Sequence, residues 1–205
     1  MTEDTSPEKL RKFLESDDLA LVRMGISLAK GAGIEVTIKD LGRFLKSDSI
    51  ETIKTGVVLA DEAGIGDEAM EMLCKPLEDE DEWVRFYAVG TLGDIGDARA
   101  VQPLIKTLGN ELLQNLNNGD GVHRTVAHVL GEFGDKRAAE PLIKLLKYGK
   151  SEQLGPYALD HLKELHDTVL QTLGKIGDER AVGPIIKVFE DLEDNSVRET
   201  ATKAL

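Results

Sequence analysis

The chain has 205 residues, 41% of them hydrophobic and 31% charged, enough for a soluble globular unit with a real core and unlike either a short peptide or a membrane protein. Lys and Arg number 25 against 38 Asp and Glu, a formal charge of −13, so the chain repels phosphate and does not fit a general nucleic-acid binder. Aromatic residues make up 4%, so the core must come from Leu, Ile, Val and Ala, and any clustering of aromatics carries information.

In chain order, the first predicted element is a polar helix over 7–16 with Leu10, Phe13 and Leu14 turned to one side, which reads as an N-terminal cap. Six units come after it, opened by the apolar residues Val22, Ile53, Val84, Val122, Leu165 and Val197 at steps of 31, 31, 38, 43 and 32. A basic or imidazole side chain comes next in each: Arg23, Lys54, Arg85, His123, His166 and Arg198. The sixth unit stops at Leu205 before a second helix, which leaves self-association open.

Three segments align without gaps: Leu92 to Lys106, Leu130 to Lys144 and Leu173 to Lys187, sharing LGx[IF]GDxRA[AV]xP[LI]IK. In the first of these units, Val84, Ala88, Val89 and Leu92 are spaced as one apolar face of a helix. Gly96 suits a left-handed stop, and Asp97 suits an N-cap for a second helix. Ala100, Leu104, Ile105 and Leu108 form the apolar face of that helix, with Pro103 tolerated in its first turn. A weaker pair, Ala29 to Ile34 and Ala60 to Ile65, marks the earlier units. Neither helix of such a hairpin can bury its face alone, so neighbours must stack, and the expectation is an all-α solenoid of five to six hairpins forming a single domain over 1–205. The two long steps are expected to lengthen the helix running through Leu108, Leu112 and Leu116, and to insert a loop after Leu146 with the next helix starting near Pro156. Both insertions come after a second helix and should project from the same edge.

The motif LGxIGDxRAVxPLIK, with Val-Arg opening the preceding helix, resembles the HEAT-like repeats of phycobilisome (PBS) lyases, closely from Glu82 to Leu205 and loosely from Ser6 to Asp81. The resemblance implies an armadillo-like, right-handed superhelix whose first helices line the concave face, and a role as a protein-binding scaffold. It also implies that Asp97, Asp135 and Asp178 with Arg99, Arg137 and Arg180 form hydrogen-bonded ladders between successive turns, a structural duty that outweighs an anion site because it recurs in three successive units.

Catalytic signatures are sparse. The chain carries no GxxxxGK[ST], Gly31-Ala32-Gly33 lacks the rest of a dinucleotide fingerprint, and Ser27 falls outside a nucleophile elbow. HEAT-like hydroxylases draw iron ligands from His-Glu dipeptides, and none of His123, His128, His161 and His166 precedes a Glu. Pairs five apart lie about 140° apart around a helix, so local chelation is disfavoured. Cys74, the single cysteine, cannot make an internal disulfide or a CxxC clip and reads as a small hydrophobe in a reducing compartment. The acidic run Glu78 to Glu82 lacks calcium-loop spacing and suits a helix N-terminus. The charged N-terminus lacks a signal-peptide core and no stretch is long enough to span a bilayer, so a cytoplasmic protein without metal or cofactor is expected.

With Val84, Ala88, Val89 and Leu92 inward, Trp83, Phe86, Tyr87 and Gly90 point outward, and the equivalent row includes Leu21, Met24, Gly25 and Leu28, then Thr52, Thr55, Gly56 and Leu59. Later units place Arg124, His128, Glu164, Asp167, Glu199 and Lys203 there, so the row is apolar in its first half and polar in its second. Folding does not require that asymmetry. Exposed aromatics anchor partners, and Gly25 and Gly56 are expected to leave room for an inserted side chain; the other reading is that the cluster is covered core. The functional expectation is a noncatalytic scaffold that binds a protein or peptide, one with a basic amphipathic segment, through Trp83, Phe86, Tyr87, Met24, Leu28 and Leu59. The alternative, from the resemblance, is a bilin lyase-like or chromophore-handling subunit using the same groove. A HEAT-like DNA glycosylase would want a basic groove, which this is not.

Overall fold

Every regular element among the described residues of the computed structural model (7–109, 121–146, 156–191 and 195–205) is helical. The expected lengthening beyond Gly109 and the loop after Leu146 lie outside those residues. The helices sort into two compact units, Met1–Leu73 and Cys74–Leu205.

The first unit contains α1 (Pro7–Leu14), α2 (Leu19–Gly31), α3 (Gly42–Leu45), α4 (Ile50–Ala63) and most of α5 (Gly66–Cys74). Asp18 starts α2 by accepting from the Ala20 amide at 2.8 Å, and Ser49 caps α4 on the Thr52 amide. α1 packs on α2 and α3 on α4, burying Leu10 and Leu14 against Val22, Ile26 and Ala29, and Phe44 and Leu45 against Ile53, Val57 and Ala60. The approach is close. A Cβ on Gly25 would lie 2.8 Å from Phe13 Cβ, and one on Gly56 2.8 Å from Phe44 Cβ. These two glycines therefore admit the preceding helix rather than an outside side chain, which corrects the expectation of open space beside them. Arg23 Nε meets Glu62 at 3.0 Å and ties α2 to α4.

The second unit holds a 3-10 turn (Lys75–Glu78), α6 (Glu82–Ile95), α7 (Val101–Leu108), α8 (Val122–Phe133), α9 (Ala139–Leu145), α10 (Pro156–Ile176), α11 (Val182–Asp191) and α12 (Asn195–Ala204). α10 does start at Pro156. α6, α8, α10 and α12 pack side by side in one layer, and α7, α9 and α11 belong to the other. The first glycine of each LG pair sits at the contact between neighbouring first helices: a Cβ on Gly93 would be 3.0 Å from Val129, on Gly131 3.1 Å from Thr172, and on Gly174 3.0 Å from Ala204. The second glycine takes positive φ, 74° at Gly96, 62° at Gly134 and 61° at Gly177, and ends the helix in the left-handed region. Aliphatic side chains fill the space between layers, among them Leu92, Leu104, Leu130, Leu142, Leu165, Leu170, Leu173 and Ile185. Val84 departs from expectation. It lies in the first turn of α6 and is exposed, whereas Ala88, Val89 and Leu92 are buried.

Candidate functional site

The most distinctive surface in the second unit lies on α6. Asp79 Oδ1 accepts from the Asp81 amide at 3.0 Å, and Asp81 Oδ1 accepts from the Trp83 amide at 2.8 Å, so the acidic run serves as the helix start. Arg85 Nη1 donates to the carbonyls of Asp79 and Glu80 at 2.8 and 2.9 Å, pinning that run to the helix it begins. With Val89 and Leu92 buried, helical geometry turns positions 83, 86 and 87 the other way. Trp83 is 61% exposed, Tyr87 67% and Phe86 37%. The rings are organised: Trp83 and Phe86 are 6.1 Å apart at 74°, Phe86 and Tyr87 5.8 Å apart at 82°, both edge-to-face. One turn on, Gly90 leaves bare backbone, since a Cβ there would meet nothing within 4 Å. The reading that the cluster is covered core is thereby set aside.

In the first unit the expected row is displaced. Met24 is exposed and Leu28 half-buried, but Leu59 is fully buried, and Val58 is exposed at 46% in its place. On α4 the cause is the packing of Gly56 on α3, which rotates the outward face by about one residue, or 100°; on α2 Gly25 is buried against α1 while Leu21 and Met24 stay exposed as expected. Leu59 is core and leaves the candidate site. In the second unit the register holds, with Arg124, His128, Glu164 and Gln171 exposed.

The Asp-Arg turns are stereotyped. Arg99 Nε donates to Asp97 Oδ1 at 3.0 Å and its Nη2 to Oδ2 at 2.5 Å; Arg137 and Asp135, and Arg180 and Asp178, repeat the two-pronged pair, while each aspartate also caps an amide two residues on. The guanidinium bonds hold all three carboxyls below their usual range, Asp178 at about 2. Each pair closes its own turn, and between turns Arg180 Nη2 donates to the Lys136 carbonyl at 3.1 Å.

His123 and His166 are both buried. The Nε2 of His166 lies 3.2 Å from the Leu145 carbonyl, and burial pushes its pKa down. No group of three or more His, Cys, Asp or Glu side chains among the described residues could hold a metal. Burial, helped by Asp97, pushes the half-buried Cys74 thiol up to about 11, which leaves it a poor nucleophile. Among the described residues no helix is long and apolar enough to cross a membrane.

One exposed apolar pair escaped the sequence reading: Val182 and Ile186 on α11, in the motif positions of Val101 and Ile105. Their letters match those of buried or half-buried residues in earlier units, so the sequence held no signal for them.

Paired helices repeated with a glycine-aspartate turn define an α-helical repeat protein. The family model for HEAT repeats matches residues 57–114, and that for the PBS lyase HEAT-like repeat matches 122–148 and 167–191, together more than half of the chain. The chain is a HEAT-repeat protein, and its repeats over 122–148 and 167–191 are of the PBS lyase HEAT-like kind. Among solved structures it is similar to a chain in the complex of CpcE and CpcF of phycocyanin lyase from Nostoc sp. PCC7120, at 24% identity and a TM-score of 0.51, over 97% of this chain and 63% of that one. The chain thus spans under two thirds of that neighbour, and the likeness is one of fold. An engineered protein is matched at 21% identity and a TM-score of 0.36, over 97% of this chain and 94% of that one. No curated protein matches the chain.

Proposed function

We propose that the protein is a noncatalytic binding subunit whose α6 face, Trp83, Phe86 and Tyr87, captures a protein or peptide partner. The observation that carries this reading is the exposed edge-to-face trio. An aromatic cluster held rigid on a helix has little conformational freedom to lose on binding and much apolar area to bury. The fold neighbour is itself one chain of a two-protein complex, which supports a protein as the partner. Met24 and Leu28 on the first unit, with Leu21, make a separate apolar strip to which we assign the same kind of role. A cytoplasmic setting belongs to this reading, since a single cysteine suits a reducing compartment.

The test is capture of a partner, identified by cross-linking and mass spectrometry, by wild type and by the double variant Trp83→Ala, Tyr87→Ala. Truncating central aromatic anchors weakens binding by about 2 kcal/mol or more each, roughly thirtyfold. Loss of capture with an unchanged helical melt supports the reading, and undiminished capture overturns it.

A second reading is that the same rings stack on a bilin, favoured by the neighbour's being described as phycocyanin lyase. Trp83 is the only tryptophan, so a bilin bound there would quench its emission while the pigment's visible band shifts. If neither happens, the bilin reading fails.

A further inference from the structure

We infer that the partner segment on α6 is a basic amphipathic helix, a refinement that rests on the protein-binding reading above. Carboxylates bracket the aromatic trio. Within the run at its N-terminal end, Lys106 holds Glu78 at 2.6 Å, Asp79 and Asp81 act as caps, and Glu80 and Glu82 meet no cation among the described residues. At the other end Asp94 is exposed and equally without one. The single cation of α6, Arg85, is turned back onto the carbonyls of Asp79 and Glu80. An apolar strip with negative ends selects a partner that is apolar along one side and positive beyond it.

Geometry selects a helix. The described regular structure is all helical, so no sheet edge is offered for an extended peptide to join. From Trp83 to Asp94 the strip runs about 16 Å, three helical turns. Gly90, beside Tyr87, leaves a shallow notch of bare backbone where one apolar side chain of the partner can seat while others lie across the rings. Apolar residues at i, i+3 or i+4 and i+7, with Lys or Arg flanking them, meet the aromatic centre and both acidic ends together.

Trp83 reports on its own site, because no other tryptophan contributes emission. Two synthetic helical peptides share one apolar stripe, with Lys and Arg on the polar side of the first and Glu on that of the second. The expected result is a saturable blue shift of Trp83 emission with the basic peptide, weakened about tenfold between low and high salt, and little response to the acidic one. The variant Glu80→Gln, Glu82→Gln, Asp94→Asn, with an unchanged melt, should lose the preference. Equal binding of both peptides, or a preference unchanged in that variant, overturns the charge assignment; silence toward both overturns the helix. Each of those failures leaves standing a partner capture that Trp83→Ala, Tyr87→Ala abolishes, whereas capture that survives the double substitution removes the binding reading itself.

Discussion

Thr172 on α10 lies directly over Gly131 on α8: a Cβ on the glycine would stand 3.1 Å from Thr172 Cγ2 and Oγ1, and that Oγ1 donates to the Ala127 carbonyl at 3.0 Å. The missing side chain on one helix is what lets the hydroxyl of the other reach a backbone oxygen. The contact is buried, with Thr172 2% exposed. Thr172→Val keeps the shape and deletes the donor, and should cost about 1 kcal/mol by thermal or urea unfolding. A neutral result would mean that packing alone holds α8 to α10.

Two glycines in mid-helix should respond to alanine with opposite signs. At Gly90 nothing lies within 4 Å of a new Cβ, so Gly90→Ala should stabilise by roughly 0.5–1 kcal/mol through helix propensity. At Gly56 the new atom would sit 2.8 Å from Phe44 Cβ and 3.1 Å from the Leu45 amide nitrogen, neither of which is a flexible tip. Overpacking of about 1–3 kcal/mol then outweighs the propensity gain, and Gly56→Ala should lower the melting temperature. Denaturant melts of the two single variants decide the matter.

This contrast also explains what the sequence could tell. In Leu92 to Lys106, Leu130 to Lys144 and Leu173 to Lys187 the turn and the helical spacing are fixed by local requirements: a glycine at positive φ, an aspartate on the amide two residues on, an apolar residue at helical spacing. Such requirements repeat, so the turns, the helices and the outward placement of Trp83, Phe86 and Tyr87 were legible. In the first unit the full Gly-Asp-x-Arg turn is missing, and α2 and α4 are apolar over too wide an arc for periodicity to choose a face. The choice is made by α1 and α3 lying on Gly25 and Gly56, which is a tertiary fact, and Leu59 is buried as a result. Val182 illustrates the same limit: it shares its motif letter with Val101, yet is 45% exposed where Val101 is 0%. α7 is overlaid by α9 and the turn before it, and no such cover lies over Val182 among the described residues.

Cys74 should be chemically quiet in the folded protein. Its thiol is raised to about 11, so little thiolate exists near neutrality, and the residue is half-buried. Alkylation by iodoacetamide at pH 7.5 is expected to be slow in buffer and to accelerate strongly in denaturant. Rapid alkylation of the native protein would show that the junction of α5 with the 3-10 turn after it opens on its own.

Acid should unfold the second unit in two separable steps. His166 is buried and neutral, with its folded pKa lowered below 6.5, so the unfolded chain takes up the proton more readily and stability declines as the pH falls below about 6.5. Above that pH the contribution is complete. Asp178 acts lower down. Its carboxyl, held by Arg180, is depressed from 3.8 to about 2, so the stability it provides is complete above pH 3.8 or so and is lost as the pH falls toward 2. His166→Gln should therefore flatten the melting temperature between pH 6.5 and 5 while leaving the strongly acidic limb intact, and Asp178→Asn should flatten the limb below pH 4 alone. Melting curves collected from pH 7 to 2 on wild type and both variants separate the two; a single limb altered equally by both substitutions would show that one group controls the other.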